Sequence, residues 1–259
     1  MKNLKKIIAL LLAVLMIVGM TACAGEKTDL DAIKERGKLI VLTNASFPPF
    51  EYVDAEGNIA GVDIDSVQYM SDKLGVELEM VDMDFDLLID SLKNGKGDIV
   101  AAGMTARPDR AEIIDFSLIY ISMGLKVIVP AETDIKTFDD LDGKRIAVQE
   151  ATTADIYAQE NYKNAEILAF KSAIDAGNAV KSGNADCAII DLLPAEYMTA
   201  NSDEIVLMEE LLSAEDTAMG VAKGNEELLK FVNECLTEIM ESGALDESFD
   251  KHMENFSLE

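Results

Sequence analysis

The chain alternates short apolar runs with amphipathic stretches in a regular order. Lys38-Leu-Ile-Val-Leu-Thr43 reads as a strand, and Gly37 ends the short helix expected over 28–36 just before it. Glu51-Tyr52-Val53 and Ile59-Ala60-Gly61-Val62 flank the turn Asp54-Ala-Glu-Gly-Asn58, a hairpin-like excursion. Pro48 and Pro49 keep 44–50 out of regular structure. Ile64, Val67, Met70 and Leu74 then recur at helical spacing until Gly75 stops the run. A strand over 76–81, a helix over 85–93 with Leu88, Ile89 and Leu92 inward, and a strand over 98–102 complete the series. Strand, helix, strand, helix, strand is the signature of a parallel sheet with crossover helices.

A second series of the same kind follows. Strands are expected over 124–129, 145–148, 167–170, 186–190 and 205–208, with helices over 153–161, 172–181 and 194–200 and a helical turn at 138–143. One more strand over 217–222 leads into a long helix over 226–241, whose Leu229, Val232, Leu236, Ile239 and Met240 share an apolar face. The fold class is therefore α/β: two similar units in tandem, with no linker rich in Pro, Gly or Ser between them.

The N-terminus stands apart from this pattern. Lys2, Lys5 and Lys6 precede an apolar run over 7–20, too short for a membrane-spanning helix, and Met20-Thr21-Ala22-Cys23 resembles the lipobox of bacterial lipoproteins. Residues 1–22 are expected to be a signal peptide, with Cys23 the lipidated first residue of the exported chain. The alternative is an ordinary secretory leader with an incidental Cys23. Removing the leader takes away three lysines and no acids, moving the net charge from −27 to −30. A chain this acidic, without a basic stripe, has nothing to neutralise phosphates, so nucleic acid is excluded as a partner. The remaining 237 residues suit one large domain or two lobes of about 100 residues each.

Little in the composition supports metal or cofactor chemistry. Beyond Cys23 the cysteines are Cys187, in a buried-looking strand, and Cys235, on the long helix. The one histidine, His252, sits among charged residues and reads as a solvated surface group. No Cys/His cluster, no G-x-G-x-x-G and no Walker loop is present, so no metal and no cofactor is expected.

Two segments carry candidate binding chemistry. Gly103-Met-Thr-Ala-Arg-Pro-Asp-Arg110 follows the strand over 98–102, at the sheet edge where open α/β folds bind ligands. Arg110 can grip a carboxylate there through two parallel hydrogen bonds, or it can be a surface arginine paired with local acids. Asp191 ends the strand over 186–190; it can face a ligand or cap the next helix.

At this point the residues resemble a family. Phe47-Pro-Pro-Phe50-Glu-Tyr52, Gly61-Val-Asp-Ile-Asp65, Gly103-Met-Thr105 through Arg110, Asp115-Phe-Ser117 with Tyr120, Asp140-Leu-Asp-Gly-Lys144, Thr152-Thr153, Ala185-Asp186 through Asp191, and Gly220 through Gly224 are similar to stretches of the amino-acid-binding proteins of ABC importers, in order over nearly the whole exported chain. That group includes glutamine- and histidine-binding proteins. The resemblance implies a two-lobed periplasmic-binding-protein-like fold of type II, each lobe a mostly parallel sheet flanked by helices. Lobe 1 would combine 27–121 with 219–259 and lobe 2 would span 122–218, with crossings near 120–126 and 216–220. Cys187 and Cys235 then fall in separate lobes and are expected to be free, buried thiols.

The resemblance also assigns roles. Arg110 would take the α-carboxylate of a free amino acid, helped by Thr152 and Thr153 at a helix N-terminus. Asp191 would accept the α-ammonium, with Thr105, Gly103 and the adjoining Met104 beside it. Phe47 and Phe85 would sandwich the side chain, although a Phe opening a helix is also a core residue; Phe50 and Tyr52 are expected to be structural. Asn44 stands where relatives that bind basic amino acids have aspartate, and Gln149 where some have a longer basic residue, which points to a neutral polar ligand; Glu150 reopens a basic one if it faces the cleft. Arg107, where threonine is common, pairs with Asp109 or adds a second guanidinium. Ala151 replaces a frequent glycine, and Phe249 and Phe256 stand in for a missing C-terminal aromatic motif. The expectation is a monomeric, non-enzymatic lipoprotein on the outer face of the cell membrane that serves an ABC permease. The alternatives are a dehydratase-like enzyme, with Glu150 as its acid, and a sensor module.

Overall fold

The computed structural model describes residues 30–200 and 202–254. The expected leader, Cys23 and Phe256 lie outside the described residues.

Helix α1 (Leu30–Arg36) leads into β1 (Lys38–Thr43), an interior strand buried throughout on one face and half-buried at Lys38 and Ile40 on the other. The short strands β2 (Ser46–Phe47), β3 (Glu51–Val53) and β4 (Ile59–Ala60) form a separate antiparallel sheet. Helix α2 (Val62–Leu74) crosses to β5 (Glu77–Asp82), and α3 (Leu88–Lys93), entered through a short 3₁₀ turn at Phe85–Leu87, crosses to β6 (Ile99–Val100). One-turn α4 (Pro108–Ala111) precedes β7 (Ile114–Phe116). Strand β8 (Ile121–Met123) then leads out of this lobe.

The second lobe holds β9 (Leu125–Pro130), β10 (Arg145–Gln149), α5 (Thr153–Asn161), β11 (Glu166–Phe170), α6 (Ala173–Lys181), β12 (Cys187–Asp191), α7 (Leu192–Ala200) and β13 (Ile205–Leu207). Strand β14 (Glu215–Thr217) returns against β8 as a two-stranded antiparallel ribbon, and β15 (Gly220–Ala222) re-enters the first sheet. Helices α8 (Glu226–Ser242) and α9 (Ala244–Glu254) close the first lobe.

The two five-stranded sheets have the same plan. Their orders are β5-β1-β6-β15-β7 and β11-β10-β12-β9-β13, each with one strand running against the other four. The C-terminal ends of β1 and β6 in one lobe and of β10 and β12 in the other face a common cleft, the place where such sheets bind ligands.

Four sequence expectations change. Residues 46–47, expected to lie outside regular structure, pair with β3 as strand β2, because the two prolines come after them and leave their ladder bonds free. The single strand expected over 217–222 is two strands in different sheets, because the chain turns at Ala218 and Met219; there the Met219 N–H donates to Ser117 Oγ and the Ser117 N–H to the Met219 carbonyl. The strands β7 and β8 were not anticipated. His252 is 2% exposed and is not a surface residue: its Nδ1 bonds Tyr52 Oη at 2.8 Å and its Nε2 bonds Asp65 at 3.0 Å. Phe249 packs edge-on against Phe50 at 5.6 Å between ring centroids. Cys187 and Cys235 are free and buried, and burial raises their thiols to about 12 and about 11. Among the described residues no helix is long and apolar enough to cross a membrane.

Candidate functional site

The segment after β6 turns sharply at Gly103, whose φ of +53° and 2.6 Å approach of an added Cβ to the Phe47 ring leave no room for a side chain. Its N–H is held by Asp63, whose other oxygen accepts from Tyr120 Oη at 2.7 Å, so the cleft-lining loop is tied to the start of the crossing segment. From there Thr105 faces the cleft. Met104, between them, points the other way: it is 1% exposed in the core of the first lobe and lies outside the cavity lining.

Arg110 is presented by α4 and is 6% exposed. Its Nη1 donates to the Thr105 carbonyl and its Nη2 to the Ala151 carbonyl across the cleft, both at 3.0 Å. The guanidinium lies 5.3 Å from the centre of the Phe85 ring. Burial and the neighbouring Arg107 lower its pKa to about 10, so it remains a cation at neutral pH. Arg107 itself is clamped in bidentate fashion by Asp109, at 3.0 Å for both bonds.

The opposite wall comes from lobe 2. Thr152 caps α5: its hydroxyl accepts from the Asp155 N–H and donates to the Gln149 carbonyl, so it is spent on the loop. Thr153 Oγ1, buried at the first turn of the same helix, has no protein partner. The helix N-terminus and that hydroxyl can serve an anion. Ala151, just before them, has φ +62°, the one positive φ at a non-glycine among the described residues.

Asp191 ends β12 and is 7% exposed. Its Oδ1 has no partner, and its carboxylate receives only its own backbone N–H, so it does not cap α7. Burial and the nearby Glu215 raise its pKa to about 7, against the opposing pull of Arg110.

Phe47, Phe85, Ala102, Gly103, Thr105, Arg110, Gln149, Thr152, Thr153 and Asp191 line one small, tightly closed cavity. The nine expected positions other than Met104 and Asn44 thus line one space, with Thr152 contributing position rather than a free hydroxyl. Phe85 serves both its readings, since it also packs on the core of lobe 1. Asn44 stands one step behind: its Oδ1 accepts from Gln149 Nε2 at 2.8 Å across the cleft and its Nδ2 donates to the Met83 carbonyl. Gln149 Nε2 also donates to the Lys171 carbonyl, which leaves Gln149 Oε1 as a spare acceptor. Glu150 does not line the cavity. It sits at the rim, 2.8 Å from Lys171 Nζ, which also reaches Asp86 at 3.2 Å and Asp84 at 3.5 Å on the other lobe. Ala102 and Lys171 escaped sequence reasoning; Ala102 had a signal in the small residues that end β6, Lys171 none.

Residues 39–255 match the model of the bacterial extracellular solute-binding proteins, family 3. The chain belongs to that family. Among relatives of this family member, the L-cystine-binding protein TcyJ of Escherichia coli (strain K12) is 28% identical over 93% of this chain and 92% of its own length. The arginine-binding extracellular protein ArtP of Bacillus subtilis (strain 168) is 31% identical over 94% and 96%. The crystal structure of the P235GK mutant of ArgBP from T. maritima superposes with a TM-score of 0.83 at 38% identity, covering 87% of this chain and 99% of that one. The type II two-lobed fold of this family 3 protein follows from that match.

Proposed function

We propose that this protein is the substrate-binding subunit of an ABC importer and captures a free L-amino acid with a neutral polar side chain. The observation that carries the reading is the charge of the cavity lining: one guanidinium, Arg110, and one carboxylate, Asp191, on opposite lobes, with every other lining group neutral. A zwitterion satisfies both charges and leaves none over. Its α-carboxylate meets Arg110 and the N-terminus of α5 with Thr153. Its α-ammonium meets Asp191 and Thr105. Its side chain runs between Phe47 and Phe85 toward Gln149, whose free Oε1 accepts a hydrogen bond. ArtP and ArgBP carry arginine in their names, but a basic side chain here would meet no free carboxylate, since Glu150 is turned to Lys171.

Ligand groups held by both lobes bind the closed cleft better than an open one, so binding shifts the population toward the form a permease recognises. Export and a lipid anchor at Cys23 belong to the same reading. An enzymatic role would need Glu150 to reach the cavity as an acid, and its bond to Lys171 holds it at the rim. Calorimetry with the twenty standard amino acids tests the assignment. The tightest ligand is expected to be neutral and polar; tight binding confined to arginine or lysine refutes it.

A further inference from the structure

The side-chain end of the cavity is bordered by more charge than lines it. Phe85 lies between Asp84 and Asp86, and Gln149 is followed by Glu150, so three carboxylates each stand one residue outside the lining. Lys171 Nζ gathers all three, at 2.8 Å from Glu150, 3.2 Å from Asp86 and 3.5 Å from Asp84. Its backbone carbonyl holds Gln149 Nε2 at 3.1 Å, which fixes the lysine beside the place a ligand side chain ends. Among the described residues, no other cation bonds these acids.

We infer that Lys171 is a specificity-determining residue of this cleft: it occupies the counter-charge that a basic ligand side chain would otherwise use. This rests on the amino-acid reading of the site given above. Without Lys171 the rim would carry three acids and no cation within a few ångströms of the ligand's distal end, a field that attracts a guanidinium or ammonium. With it, a basic side chain meets a like charge and acids already bonded. Discrimination of this kind works by opposing the wrong ligand. Lys171 also joins the lobes, so its loss weakens closure as well, and that effect falls on every ligand alike. The ratio of affinities separates the two.

The experiment is calorimetry of the wild type, Lys171→Met, Lys171→Arg and a charge-matched control, Lys230→Met on the exposed face of α8, with arginine, lysine, glutamine and asparagine at low and high salt. Lys171→Met should raise the affinity for arginine relative to the best neutral ligand by about tenfold at low salt and by less at high salt. Lys171→Arg and Lys230→Met should leave the ratio at its wild-type value. A uniform loss of affinity in Lys171→Met, with the ratio unchanged, overturns the inference and leaves Lys171 a closure contact only. The two readings fail separately. A wild type that already prefers arginine defeats the neutral-ligand assignment, while a further rise of the ratio in Lys171→Met would still uphold the role of Lys171.

Discussion

Asp191 makes ligand binding a proton-coupled event. Its pKa in the closed cleft is raised to about 7, first by burial and second by Glu215, with Arg110 pulling the other way. An α-ammonium bonded to Asp191 supplies the positive partner that the site otherwise lacks, and returns the carboxyl toward the ordinary value near 4 or below it. Binding must therefore expel whatever proton Asp191 carried. With a pKa of about 7, that proton is present on roughly 0.9 of molecules at pH 6, about 0.5 at pH 7 and about 0.1 at pH 8. The same arithmetic weakens the observed association constant by about tenfold at pH 6 and about a hundredfold at pH 5 relative to pH 8. The full swing of ~3 pH units corresponds to about 4 kcal/mol. The sign is fixed: a raised carboxyl pKa in the unliganded closed cleft makes affinity grow as pH rises through the 4–7 window, then level off.

Calorimetry in buffers of different ionisation enthalpy reads the proton count directly as the slope of apparent enthalpy against buffer enthalpy. The slope should indicate release of about 0.9 proton at pH 6 and almost none at pH 8. Asp191→Asn should abolish it while weakening binding. Asp63, raised to about 6 by burial, titrates in the same range but lies behind Gly103, outside the lining, so its proton should survive in that variant without adding a slope. Tight binding at pH 6 with no proton release in the wild type refutes the placement of the ammonium on Asp191.

Arg110→Ala should lose more than ~2 kcal/mol of binding, about thirtyfold in Kd, because a charged donor disappears and a carboxylate is left unpaired; unchanged affinity removes Arg110 from the site. Ala151→Gly relieves a left-handed alanine without touching the N–H held by Asp155 or the carbonyl held to Arg110, and should raise Tm by about 2–4 °C for ~1 kcal/mol, whereas a lower Tm contradicts it. Glu51 is fully buried with neither oxygen bonded, and burial together with Asp63 and Asp82 holds its pKa well above the usual range. Its stabilising protonated form is intact at low pH and lost as pH rises, so Glu51→Gln should gain in Tm on the wild type between pH 5 and pH 8. A difference that stays constant over that range speaks against this.

The long periodic elements were legible because burial and period coincide. β1, flanked by partners on both sides, is apolar from Leu39 to Leu42, and α8 carries its core residues at helical spacing. His252 was misread from its charged neighbours Asp250 and Lys251. The better signal was spacing: Leu245, Phe249 and His252 share a helical face, and that face meets Tyr52 and Asp65. Met104 sits between two cleft-lining residues, but its long apolar side chain belongs to the core of lobe 1. The bond between Asn44 and Gln149 joins positions 105 residues apart, and Lys171 meets acids 85 residues away; no local pattern records such pairs. The resemblance named which residues converge, and the structure supplied which of their polar atoms are already spent.

That distinction shapes the energetics of closure. Arg110 in the closed cleft is held by two neutral carbonyls, those of Thr105 and Ala151, and a ligand carboxylate replaces them with an acceptor whose opposite charge adds Coulomb attraction to the hydrogen bonds. Asn44 with Gln149, and Lys171 with Asp84 and Asp86, form bonds across the cleft that involve no ligand atom. The first kind favours amino acids over molecules that lack a carboxylate, and among amino acids the choice falls to the groups at the side-chain end, where the Lys171 bonds occupy the acids a basic ligand would use. The second kind raises the fraction of molecules already closed, and the apparent Kd falls in proportion to that fraction for every ligand. Affinity and selectivity are thus carried by different atoms of the same cleft, and Lys171, which touches both the rim acids and the loop that holds Gln149, is where they meet.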